Sequence, residues 1–502
     1  MIEINGQKLT IEQILQVACE NEQVALEPNA VKQAEAARAV VLSLSSSEQQ
    51  IYGLNTGLGA NKDNHIPPED YCVFNERILH SHSVGLPPYA DRATVRATML
   101  VRLNSLMNGA AGVQTEILVL LRDMLNCQIH PRIPVRGSVG MADLGNLAYM
   151  GLAMIGEGVV EYKGDQLPAG KVFSLCGLKP IRLGPKDGLP LVSSNALAMA
   201  QAALLCADVD NVLKMADLIY AMGYEAQGYN PMFLDPRSCR KRPLKGQHDS
   251  LRYVRICLKG SSLWTCGNES LHGALSYKSS CAIHGAVRDA YDYTRNQLLR
   301  YINSSDDCPM VLAEEGTMIS TDNFIVTGLS LALEMLGLSL SHLSHLSATR
   351  VLRLDNEQFS GLPRFLRPRK EVIAYSTIQK TVSALDTEVR HLANPASLDY
   401  LPTANESEDH GCNTPYVVQK TMRMVDLLYW LLGIEAMHAA QAADLADRKP
   451  SGKGTRFAYE IIRREISFLK EDDRDLGAEM QKAYQLVRDR VILPDLEEDL
   501  QC

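Results

Sequence analysis

A chain of 502 residues with a formal net charge of −9 has room for more than one compact unit and is too acidic to have a nucleic-acid backbone as its main partner. Apolar residues make up 46% and aromatics only 6%, and the abundance of Ala, Leu and Met favours helices over sheets. Twelve cysteines at irregular spacing, with no Cys-x-x-Cys pair, point to thiols in a reducing compartment and away from a disulfide framework or a structural metal.

The segment Met1 to Lys8 lacks the basic start and apolar core of a signal peptide, so a cytoplasmic location is expected. No stretch of about 18 uncharged apolar residues is found, so no membrane span is expected either. Residues 1 to about 190 mix short helical segments with loops punctuated by Gly and Pro. Three of these loops are unusually polar: Tyr52 to Asn61, His80 to Pro88, and Pro134 to Asn146.

After Asn195 the pattern changes. Ala196 to Met222 is a long apolar run without breakers, too long for a strand and apolar enough to predict a helix buried nearly all round. Ile325 to Leu354 and roughly Thr414 to Leu445 predict two more. Three such helices call for a bundle, hence a mainly α fold with a long central helix bundle behind a loop-rich N-terminal region. Breaks fall at Pro231–Pro236 and at Gly361–Pro368, the second rich in Arg and read as a solvated connection. From Ser451 the chain is strongly charged with helical spacing, as in an exposed or subunit-capping tail. The expected division is 1–190 as a loop-rich active-site domain, 191–450 as the helical bundle and 451–502 as the tail.

Several residues stand out within this frame. Lys380 is the one charge between Ile373 and Leu385, which makes it either a surface spoke of a helix or a buried amine; burial would shift its affinity for a proton and make it usable in catalysis. Tyr52 lies among glycines, His82 follows a serine, and Glu408 sits in an acidic loop. Taken singly, each reads as turn, structural or solvated.

Together with their neighbours they read differently. Ile51-Tyr52-Gly53-Leu54-Asn55-Thr56-Gly57-Leu58-Gly59, Ser81-His82-Ser83-Val84-Gly85 and Leu401-Pro402-Thr403-Ala404-Asn405-Glu406-Ser407-Glu408-Asp409-His410 resemble motifs of the histidine and aromatic amino-acid ammonia-lyases. The resemblance covers about residues 1 to 450. It implies an ammonia-lyase-like fold, a homotetramer with active sites shared between subunits, Tyr52 as a base on a mobile loop, His82 beside the substrate, and Glu408 against the substrate's imidazole side. Leu275-Ser276-Tyr277-Lys278 resembles the family's Tyr-Ser-x-Arg, which places Lys278 where an arginine binds the substrate carboxylate.

The departures from the family pattern are as informative. Gly137-Ser138-Val139-Gly140-Met141-Ala142-Asp143-Leu144 resembles the loop in which the family's Ala-Ser-Gly cyclises and dehydrates to methylidene-imidazolone, but two residues, Met141 and Ala142, replace the triplet. Neither has a hydroxyl to lose, and no glycine follows Ser138. In Lys186-Asp187-Gly188-Leu189-Pro190-Leu191-Val192-Ser193, Ser193 stands where the family has an asparagine that supports the ring. The expectation is a carbon–nitrogen lyase with no cofactor. Its substrate is a small-molecule betaine whose trimethylammonium leaves unaided: the betaine of 2-thiohistidine, or alternatively the sulfur-free histidine betaine. An inactive scaffold is the remaining alternative. In this reading Tyr52, Lys380 and Glu408 act catalytically, and His82, Ser193 and Lys278 bind substrate.

Overall fold

The computed structural model describes residues 1–268 and 271–496 and is mainly helical. The long helices are Ala196–Gln227, Ser280–Ile302, Thr327–Leu354 and Thr414–Leu445. Three of them match the apolar runs read from sequence. Ser280–Ile302 was not foreseen, because Arg288, Asp289, Asp292, Arg295 and Arg300 mask its buried stripe of Val287, Leu298 and Ile302. By hydropathy, one stretch among the described residues, Gly188–Gln227, holds an 18-residue window apolar enough to cross a membrane, where the sequence predicts none. Of that window 94% is buried within the protein, as in the core helix of a packed fold.

The chain forms two compact units, each discontinuous in sequence, and the consecutive segments expected above are a different division of it. The first comprises residues 1–206, 294–333 and 395–419. Its strands are short: Ile2–Ile4 pairs in parallel with Val24–Leu26, Leu86–Tyr89 antiparallel with Pro134–Arg136, Val159–Tyr162 antiparallel with both His130–Pro131 and Asp165–Pro168, and Met310–Leu312 antiparallel with Thr317–Ile319. At its centre the Arg92–Leu106 helix is buried on every side from Thr94 onward, charged residues included.

Buried charge of this kind survives only when paired and hydrogen-bonded. Arg102 meets Asp306 at 2.6 Å and Asp307 at 3.1 Å and donates to the Pro190 carbonyl; Ser105 and Ser194 also donate to Asp306. Asp187 is held by Arg38 and by the Gln114 amide at 3.0 Å. The Lys186 ammonium donates to the Ala111 carbonyl at 2.6 Å, and burial lowers its pKa to about 8. This lattice fixes the Gly188–Val192 turn, and with it Ser193.

The second unit comprises residues 207–293, 334–394 and 420–502. Its interior includes Asp217, which accepts from Ser250 and His284 at 2.7 Å each and from Arg288 at 2.6 Å. The tail buries one face of each of its helices within this unit: Gly454, Thr455, Ala458, Tyr459 and Ile462 of Lys453–Glu465, and Ala483, Leu486 and Val487 of Leu476–Arg488.

Candidate active site

Within the first unit a cavity of about 710 Å³ is bounded by Tyr52, His82, Ser193 and Glu408, four of the six residues singled out from sequence. Each arrives on a different element. Tyr52 stands in a loop that braces itself: Asn55 accepts from the Ile51 amide at 2.8 Å and donates to the Gln49 carbonyl at 2.8 Å, and the Gly57 amide reaches Asn64 at 2.8 Å. Gly53 has φ +70°, and a Cβ there would come within 2.8 Å of Leu189, so only glycine lets the loop lie this close. The Tyr52 phenol oxygen accepts the Gly59 N–H at 3.1 Å. That amide fixes the position of the phenol oxygen at the cavity wall.

His82 ends the Tyr71–His82 helix. Its Nδ1 lies 2.8 Å from the Ile78 carbonyl, which can only accept, so a proton on Nδ1 makes that bond. The backbone after it is pinned where Gly85 approaches Pro134 and the Gly145 carbonyl, closer than any Cβ would allow. Glu408 closes a short hairpin with Thr403, whose hydroxyl donates to the carboxylate at 2.9 Å. The turn between them holds Ala404, Asn405 and Glu406 all at positive φ, a costly run for non-glycine residues that marks a constrained site.

The 137–143 loop forms a further wall through Met141. Ser138 donates to Asp143 at 2.8 Å and accepts from the Gly140 amide, so its hydroxyl is already engaged. Asp143 is fully buried and also accepts from the Ala198 amide at 3.0 Å, which caps the Ala196–Gln227 helix; burial raises its pKa to about 6. Ala142 has φ +67°, and its amide donates to Asn195 at 3.2 Å. These residues do not fit a methylidene-imidazolone ring. The precursor hydroxyl and glycine are absent, and the one serine in the loop serves as a structural bridge.

The two remaining residues lie in the second unit and do not bound this cavity. Lys278 is exposed, its ammonium 5.2 Å from the centre of the Phe233 ring. Lys380 is exposed on the Ile378–Leu392 helix, which corrects the reading of a buried amine. The gap in charge along 373–385 reflects a helix whose buried face is only Ile378, Val382 and neighbours, with Lys380 on the other side. Sequence reasoning missed Arg77, which lines the cavity together with Phe74, Ile78 and Ser81, one face of the Tyr71–His82 helix at spacings of three and four.

The scaffold gathers a tyrosine, a histidine and a glutamate around one cavity, groups able to take up and release protons. The family model for aromatic amino acid lyases matches residues 9–464, and the chain belongs to that family, whose members are carbon–nitrogen lyases. It is 34% identical to histidine ammonia-lyase 2 of Fusobacterium nucleatum, over 99% of this chain and 98% of the relative. Among solved structures it is similar to ergothionase of Treponema denticola in complex with desmethyl-ergothioneine sulfonic acid, with 37% identity, a TM-score of 0.95 and coverage of 98% of this chain and 99% of the other. Histidine ammonia-lyase of Trypanosoma cruzi aligns with a TM-score of 0.89 at 25% identity, over 98% and 96%.

Proposed function

We propose that this protein eliminates trimethylamine from ergothioneine, the trimethylbetaine of 2-thiohistidine, to give thiourocanate, and does so without a methylidene-imidazolone group. The observation that carries this reading is the 137–143 loop: a site that keeps Tyr52, His82 and Glu408 has lost the residues from which the family's electrophile is made. A primary amine needs that electrophile to leave. A quaternary ammonium does not, since it cannot be deprotonated and departs as a neutral amine. The likeness to the ergothionase structure supports the same substrate.

In the reaction, the Tyr52 oxygen takes the proton from the carbon next to the ring, that electron pair forms the new C=C bond, and the C–N bond breaks with its pair going to trimethylamine. Glu408 accepts a hydrogen bond from a ring N–H of the imidazole-thione and so orients it, and His82 and Ser193 hold the substrate.

The relatives named as histidine ammonia-lyases favour a second reading, loss of ammonia from histidine. Incubating the protein separately with ergothioneine, the sulfur-free histidine betaine and histidine, with trimethylamine and the unsaturated product measured, decides between them. Trimethylamine and thiourocanate from ergothioneine are expected. Urocanate from histidine as the main product would overturn the proposal.

A further inference from the structure

The cavity takes in a substrate that carries a carboxylate, yet among the cationic side chains proposed for the site, neither lysine lines it. Among the described residues, those that bound it include a single arginine, Arg77, and no lysine. We propose that Arg77 is the carboxylate-binding residue of this cavity, an inference that rests on the substrate being an amino-acid derivative.

Three observations carry it. Arg77 is exposed, lines the cavity and, among the described residues, makes no ion pair or hydrogen bond, unlike the buried arginines of the same unit, Arg96 and Arg102. Its five donors are therefore uncommitted, and a planar guanidinium matches a carboxylate with two parallel N–H···O bonds. Its position is set by a helix whose next turns present Ser81 and His82 to the same cavity, so a carboxylate at Arg77 leaves the rest of the substrate beside His82. Charge complementarity also sorts the two ends of the substrate. Glu408, anionic and on a separate hairpin, repels the carboxylate and accepts the ring, while Arg77 attracts the carboxylate.

The test uses the full-length protein, wild type against Arg77→Met and Arg77→Lys, with folding checked by circular dichroism. Two ligands are titrated by calorimetry: urocanate, which carries a carboxylate, and imidazole, which does not. Steady-state kinetics are measured on ergothioneine. Arg77→Met is expected to weaken urocanate and raise KM by about tenfold or more with kcat changed far less, to leave imidazole unchanged, and to be partly restored by Arg77→Lys. Equal weakening of both ligands, an unchanged KM, or a wild type that binds urocanate no more tightly than imidazole would overturn it. Should the wild type leave ergothioneine untouched, the functional proposal fails, and the urocanate and imidazole titrations still decide the role of Arg77.

Discussion

In the proposed reaction Tyr52 is the base, and its phenol oxygen receives an amide N–H at the cavity. Tyr52→Phe should lower kcat by about 100-fold or more, the usual range for a lost general base, with an unchanged circular dichroism spectrum. Activity within a few-fold of wild type would remove it from that role. Tyr52, His82, Ser193 and Glu408 were all legible in the sequence because each sits in a contiguous motif whose neighbours do local structural work: glycines at positive φ, a helix C-terminus, a buried turn, a hairpin. Arg77 was not legible, since a lone arginine inside an amphipathic helix looks like any solvated charge until the cavity beside it is known. For Lys380 the sequence left burial and a surface position open, and the structure has it exposed. A charge-free stretch suggests burial, but a helix needs only one apolar face, and the lysine occupies the other.

At the scale of elements, short loops held by buried polar groups matter more than regular structure. Gly140 has φ +85°, and a Cβ there would stand 2.8 Å from the Thr414 amide. Gly140→Ala should therefore cost about 2–3 kcal/mol in denaturant unfolding, through backbone strain and displacement, and should lower activity by shifting Met141. A neutral effect on both would show that the loop has room it does not display. In the second unit, Glu225 gathers the Ser261 hydroxyl at 2.5 Å and the Ser451 and Gly452 amides at 2.8 and 3.1 Å, tying down the start of the Lys453–Glu465 helix. Glu225→Ala strands those donors and should destabilise by about 2–3 kcal/mol, with increased proteolysis after residue 450 as the readout. The long apolar helices were readable from their runs of Ala, Leu and Met. The docked tail was not, because its charge count hides a narrow buried stripe.

For the molecule as a whole, buried ionisable groups set the response to pH. His130 is buried beside Glu161 at 2.7 Å and Arg96 at 3.3 Å, and burial, reinforced by the Arg96 charge, lowers its pKa to about 4. A depressed histidine binds its proton more readily in the unfolded chain, so its stabilisation is present above about pH 6.5 and is lost as pH falls toward 4. The full effect is on the order of 3 kcal/mol. Asp143, raised to about 6, acts in the opposite sense: its contribution falls as pH rises from about 4 to 6. Urea titrations from pH 7 to 4 should show a shallower loss of stability for His130→Asn than for wild type, and equal slopes would refute the assignment. None of this pairing was visible in the sequence, where partners such as Arg102 and Asp306 stand some two hundred residues apart.

The central claim is that elimination here proceeds without a dehydrated, cyclised loop. The most direct measurement is the intact mass of protein that is turning over ergothioneine, with the peptide around Gly137–Asp143 sequenced by fragmentation. The account predicts the mass encoded by the 502 residues and an unmodified Met141-Ala142 in active protein. A shortfall equal to lost water within that peptide would contradict it.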